Sequence, residues 1–129
     1  MTKVTEQPNT ERPHRVLIIE DSDTMRYVCN EALTSAGLDV ATSSTAEEGL
    51  ALLDTAQKEN LPFDGLLLDW VLPNMSGAEL MQRLMNDTRF IQLSIMVFTE
   101  EPDTETYNLV RQRQNNDIQH KSDLKLLPF

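Results

Sequence analysis

Short apolar runs, each closing on a polar group, set the rhythm of this chain. Val16-Leu17-Ile18-Ile19 runs into Glu20 and Asp21, Leu66-Leu67-Leu68 into Asp69, and Ile95-Met96-Val97-Phe98 into Thr99. The weaker run Asp117-Ile118-Gln119-His120 leads into Lys121. Continuous apolar runs bounded by polar or turn residues predict strands buried on both faces of a parallel sheet. Ligands of such sheets sit outside the carboxyl ends of the strands, where all five polar groups fall.

Helical spacing fills the gaps. Met25, Val28, Cys29, Ala32, Leu33 and Ala36 predict the inner face of a helix from Ser22 to about Ala36, stopped by Gly37. A short second strand, Leu38–Thr42, follows. Thr45 with Glu48 forms a capping box for a helix whose inner face carries Ala46, Gly49, Leu50 and Leu53 and which fades before Pro62. Gly65–Asp69 is the third strand. Pro73 and Gly77 shape a loop, and Ser76 with Glu79 caps a helix to about Met85. Its apolar face is Leu80, Met81, Leu84 and Met85, with the methionines as core filler. Ser94–Thr99 is the fourth strand, Asp103 to about Gln114 a polar helix around Tyr107 and Val110, and Asp117–His120 a short edge strand. This alternation predicts an α/β, doubly wound five-stranded parallel sheet with right-handed crossovers. Residues 1–13 read as a flexible polar leader and 14–129 as one domain whose last helix is short or missing.

Length and composition narrow the function. The 129 residues suit one domain. A net charge of −10 argues against nucleic acid as a direct partner, because phosphate binding needs clustered Lys and Arg. The single Cys29 allows no internal disulfide, suits a reducing compartment and falls on an inner helix face as a structural thiol. No stretch approaches a membrane span, and the N-terminus lacks the apolar centre of a signal peptide. A cytoplasmic protein is expected.

With the first and third strands adjacent, the carboxylates of Glu20, Asp21 and Asp69 meet in one pocket. Clustered carboxylates repel unless a cation joins them, and hard oxygen ligands at this density suit Mg²⁺ or Mn²⁺. A carboxylate beside a divalent cation can accept a phosphoryl group. Thr99 can hydrogen-bond a phosphoryl oxygen and Lys121 can pair with another.

The chain resembles the receiver domain of bacterial two-component response regulators. Glu20-Asp21-Ser22, the stretch Asp69-Trp70-Val71-Leu72-Pro73-Asn74-Met75-Ser76-Gly77, Thr99 and Asn116 to Lys121 carry the resemblance, which spans roughly His14 to Asp123. It implies a flavodoxin-like fold with sheet order 2-1-3-4-5. It further implies Asp69 as phosphoacceptor from a histidine kinase or phosphotransfer protein, and Mg²⁺ held by Asp21, Asp69 and the Val71 backbone carbonyl. Glu20 would join directly or through water. Thr99 and Lys121 would sense and hold the phosphoryl group, and a surface change would reach a downstream effector domain or target. The chain would not be an enzyme beyond its own phosphorylation and dephosphorylation.

Three positions depart from the family pattern. Glu100 stands where a small residue usually follows the threonine, and its charge near an incoming dianion costs about 1 kcal/mol or more at an effective dielectric of roughly 20, which predicts slow or selective phosphorylation. Ile118 replaces the usual switching aromatic, and Ser122 replaces the proline after Lys121; register favours Lys121 over Lys125. Two rival functions follow from the same residues. One is a receiver-like interaction module that is never phosphorylated. The other is a haloacid-dehalogenase-like phosphohydrolase, which needs a second Asp where Val71 stands. A flavin carrier lacks its Ser/Thr/Gly-rich phosphate loop.

Overall fold

The computed structural model describes residues 13–100 and 102–121. Most of the expected leader, Ser122, Lys125 and the expected fifth helix lie outside the described residues. Five parallel strands, β1 (Arg15–Ile19), β2 (Asp39–Ser43), β3 (Gly65–Asp69), β4 (Ser94–Thr99) and β5 (Asn116–His120), form one sheet in the order β2-β1-β3-β4-β5. The intervening helices are α1 (Asp23–Ser35), α2 (Ala46–Lys58), α3 (Gly77–Met85) and α4 (Thr104–Val110). The doubly wound, flavodoxin-like architecture stands as expected.

Alternation along the central strands divides the core. Leu17, Ile19, Leu66, Leu68, Ile95 and Val97 join α2, α3 and α4 in the larger cluster, whereas Ile18, Leu67 and Phe98 pack with Cys29 and Leu33 of α1. The runs of the three central strands are apolar because both their faces are covered. Register places Ile19 beside Leu68 and Asp69 beside Phe98, so the polar groups that end these strands emerge at one edge of the sheet.

Local chemistry sets the boundaries. Ser22, not Asp21, caps α1, its hydroxyl accepting from the Met25 amide at 3.2 Å. The helix ends in a Schellman turn: Gly37 has φ +91°, its amide donates to Thr34 and the Leu38 amide to Leu33. Asn60, at φ +60°, ends α2 in the same way. Both expected cap hydroxyls start their helices, Glu48 N donating to Thr45 Oγ1 and Glu79 N to Ser76 Oγ, each at 3.1 Å, but the Glu79 carboxylate accepts from Arg83 and does not close a box. Glu48 reaches back to the Ser44 amide, one residue earlier than the usual pattern.

Three expectations need correction. Val28, Ala32 and Ala36 are exposed, because α1 buries only the narrow stripe of Cys29 and Leu33, with Met25 packed beside it, against Ile18, Leu67 and Phe98 of the sheet. Helix α4 stops at Val110 rather than near Gln114. Beyond it the Arg113 guanidinium donates to the carbonyls of Phe90 and Leu93, and Asn116 Nδ2 donates to the Val110 carbonyl, which turns the chain into β5 one residue early. A 3-10 turn at Thr88–Phe90, capped by Asp87, precedes β4 where no element was expected. The methionines behave as filler: Met81 is fully buried, with Met75 and Met85 packed against the cluster.

Candidate functional site

The strand ends bring all six expected positions to one cavity of about 450 Å³, lined by Glu20, Asp21, Asp69, Val71, Thr99 and Lys121 together with Ser22 and Glu100. Glu20 follows the end of β1 and is anchored on three sides. Its amide donates to the Ser43 carbonyl at 3.1 Å, its Oε2 accepts from the Ser22 amide at 3.0 Å, and its carbonyl accepts from Arg26 at 2.9 Å. Asp69 closes β3, and its Oδ1 accepts from the Val71 amide at 3.2 Å. Thr99 closes β4 and is buried. Asp21, relieved of capping by Ser22, stays exposed at the mouth.

Lys121 completes the group. Its Nζ lies 3.1 Å from Glu20 Oε1 and 3.4 Å from Asp69 Oδ2, and the two carboxylate side chains are only 2% and 3% exposed. Burial, then the charge of Glu20 and contact with it, push Asp69 up to about 7, against the opposing pull of Lys121 and the Val71 amide. Burial pulls Lys121 down, but its close contacts with Glu20 and Asp69 outweigh that and hold the ammonium above its ordinary value. One lysine does not fully satisfy two buried carboxylates. Glu20 Oε1 is buried without an aligned hydrogen bond, its nearest support being the charge of Nζ.

This donor set fits a hard divalent cation. Glu20, Asp21 and Asp69 each offer one oxygen, and the three lie within 4.8 Å of one another. Such spacing suits oxygen ligation of Mg²⁺-like ions. Trp70, the only tryptophan, directly follows Asp69. Its side chain is half-buried and lines a separate groove between α3 and α4, outside the wall of the acidic cavity. Titration with Mg²⁺ is expected to give a saturable change in Trp70 fluorescence, and Asp21→Asn to weaken the apparent affinity by roughly tenfold or more. An unchanged affinity would remove Asp21 from the ligand set.

The loop from Asp69 to α3 depends on Gly77. Its amide donates to the Trp70 carbonyl at 3.1 Å, and a Cβ there would lie 2.7 Å from the Asp69 carbonyl oxygen and 2.8 Å from Trp70 Cα. Two supporting contacts escaped the sequence reading: the Ser22 amide on Glu20 and the Arg26 guanidinium on the Glu20 carbonyl. Nothing in a lone arginine on a helix marks it as a donor to a carbonyl six residues earlier. Cys29 is fully buried, and burial followed by the charge of Glu20 pushes its thiol up to about 11, which suits an inert core residue. His14 faces Asp64 at 3.5 Å, away from the carboxylate cluster.

Comparison with known proteins agrees with this geometry. The model of the response regulator receiver domain matches residues 16–124. The CheY homologue of Campylobacter jejuni, a chemotaxis protein, is 31% identical over 105 residues, 81% of this chain and 78% of that protein. Chemotaxis protein CheY1 of Helicobacter pylori is 31% identical over 88 residues, 67% of this chain and 68% of its own length. The structure of chemotaxis protein CheY4 of Vibrio cholerae gives a TM-score of 0.72 at 26% identity, covering 91% of this chain and 88% of that one. By its family match, its relatives and its fold, the chain belongs to the response regulator receiver domains of two-component signalling.

Proposed function

We propose that Asp69 accepts a phosphoryl group from a histidine kinase or a phosphotransfer protein, with Mg²⁺ (or Mn²⁺) held by Glu20, Asp21, Asp69 and the Val71 backbone carbonyl. The observation that carries this reading is the buried Asp69 carboxylate, 3.4 Å from Lys121 and within ligating range of two further acids. A carboxylate oxygen of Asp69 attacks phosphorus, the donor's nitrogen–phosphorus bond breaks, and its electron pair remains on the imidazole. A bound divalent cation supplies charge neutralisation for the transferring oxygens. Lys121 pairs with one phosphoryl oxygen from the end of β5, and the buried Thr99 hydroxyl takes another from the end of β4.

The chain is on this reading a signalling domain that promotes only its own phosphorylation and dephosphorylation. A phosphohydrolase is less well supported, since the residue two past Asp69 is Val71, 74% exposed and unable to move protons. Among the described residues no helix is long and apolar enough to cross a membrane. The output is a surface change around β4, α4 and β5 that a downstream effector domain or target protein reads. Ile118 is half-buried and packs against the larger core cluster from edge strand β5, a position from which an aliphatic switch could act.

Beryllium fluoride with Mg²⁺, a phosphoryl mimic, tests this with no donor needed. Backbone NMR shifts are expected at Asp69, Thr99, Lys121 and Ile118, and none of them in Asp69→Asn. Shifts confined to the cation ligands, with Thr99 and Ile118 fixed, would contradict the switching role.

A further inference from the structure

We propose that Glu100 is a specificity-determining residue for the phosphodonor: it disfavours small dianionic donors and favours a phosphohistidine presented by a cationic protein surface. The inference rests on the phosphoacceptor reading of Asp69. Lys121 and a divalent cation together balance Glu20, Asp21 and Asp69. Glu100 lines the same cavity, is exposed at its mouth and pairs with no described cation, so it leaves the loaded pocket with a net negative charge. The nearby cations are committed elsewhere. Lys121 contacts Glu20 and Asp69, and Arg26 holds Asp23 and the Glu20 carbonyl.

Other acids at this end of the sheet have local reasons to be there. Glu48, Asp103 and Glu105 sit at helix N-termini, where negative charge is stabilising, and Glu48 and Asp103 also bond backbone amides. Glu100 caps nothing: the α4 cap is Asp103, which accepts from the Thr106 amide at 2.8 Å. Its charge therefore acts on whatever approaches Asp69. A donor arriving as a free dianion brings no positive charge to offset it. A donor whose phosphohistidine is ringed by lysines or arginines brings compensating charge and gains in encounter rate, as complementary charges do across interfaces.

The test compares acetyl phosphate, a dianion, with phosphoramidate, which carries a single net negative charge at neutral pH, on wild type, Glu100→Gln and Glu100→Asp with Mg²⁺. Glu100→Gln is expected to raise the acetyl phosphate rate by about fivefold more than the phosphoramidate rate at low salt, with the gap closing in concentrated salt. Glu100→Asp should restore the wild-type ratio, which a merely structural effect would not do. In the same series a phosphohistidine peptide flanked by lysines should outpace one flanked by glutamates on wild type, and the preference should shrink in Glu100→Gln. Equal acceleration with both small donors, or an unchanged peptide preference, would overturn the inference while leaving Asp69 as acceptor. Failure of every donor on every variant would instead overturn the phosphoacceptor reading and this inference with it.

Discussion

Gly77→Ala is expected to cost the fold roughly 1–3 kcal/mol, read as a lower urea midpoint, and to weaken Mg²⁺ binding with it. The new methyl would sit 2.7 Å from the Asp69 carbonyl oxygen and 2.8 Å from Trp70 Cα, both backbone atoms that cannot rotate away. Relief requires the first turn of α3 to lift from the end of β3. That movement would strain the Gly77 to Trp70 hydrogen bond and displace the peptide that aims Asp69. Gly49→Ala is a useful contrast. Its Cβ meets Ile19 Cγ1 at 2.7 Å as well as the Cδ1 end of that fully buried, β-branched side chain, so a loss of stability is expected there too, but without displacement of the peptide that aims Asp69. A Gly77→Ala protein within about 0.5 kcal/mol of wild type would mean that the loop is not constrained as described.

Lys121→Met should have an effect of comparable size and opposite dependence on cation. Removing one partner from a buried charge group is costly, about 3 kcal/mol or more, because the remaining charges lose compensation. Here the residues left behind are two nearly inaccessible carboxylates, Glu20 and Asp69. The metal-free variant is expected to unfold at a lower temperature than wild type, to recover with Mg²⁺, and to bind Mg²⁺ more tightly, since a competing positive charge is gone. The pH dependence has a defined sign. Asp69 is raised from an ordinary 3.8 to about 7, so the folded chain binds its proton more readily than the unfolded chain does. Stability from this group is therefore fully present below the unfolded value and lost as pH rises through the folded one. Metal-free wild type should gain thermal stability on acidification from about pH 8 to pH 5, and saturating Mg²⁺ should flatten that slope. In Lys121→Met the sloping region should move to higher pH, because Lys121 is one of the groups that lower Asp69. A variant as stable as wild type without metal would show that the lysine contributes nothing to holding these acids together.

The strands and the site were legible in the sequence for a common physical reason. Strands covered on both faces must be apolar throughout, so Val16 to Ile19, Leu66 to Leu68 and Ile95 to Phe98 stand out, and the first polar residue after each marks the ligand edge. Capping was equally visible, since Thr45 with Glu48 and Ser76 with Glu79 act within one turn. The strand order β2-β1-β3-β4-β5 followed from family resemblance, because alternation alone leaves several orders open. What escaped depends on partners distant in sequence. The end of α4 is set by Arg113 reaching carbonyls 20 and 23 residues earlier. The exposure of Val28 and Ala32 is set by how much of α1 the sheet covers, and helical spacing alone cannot show how wide a stripe its neighbour buries.

The most direct measurement is the intact mass of the protein after incubation with acetyl phosphate. With Mg²⁺ the wild type should gain one phosphoryl group, while wild type with a chelator, or Asp69→Asn with Mg²⁺, should gain none. A gain that survives Asp69→Asn or needs no divalent cation would contradict a metal-assisted phosphoryl acceptor at the end of β3.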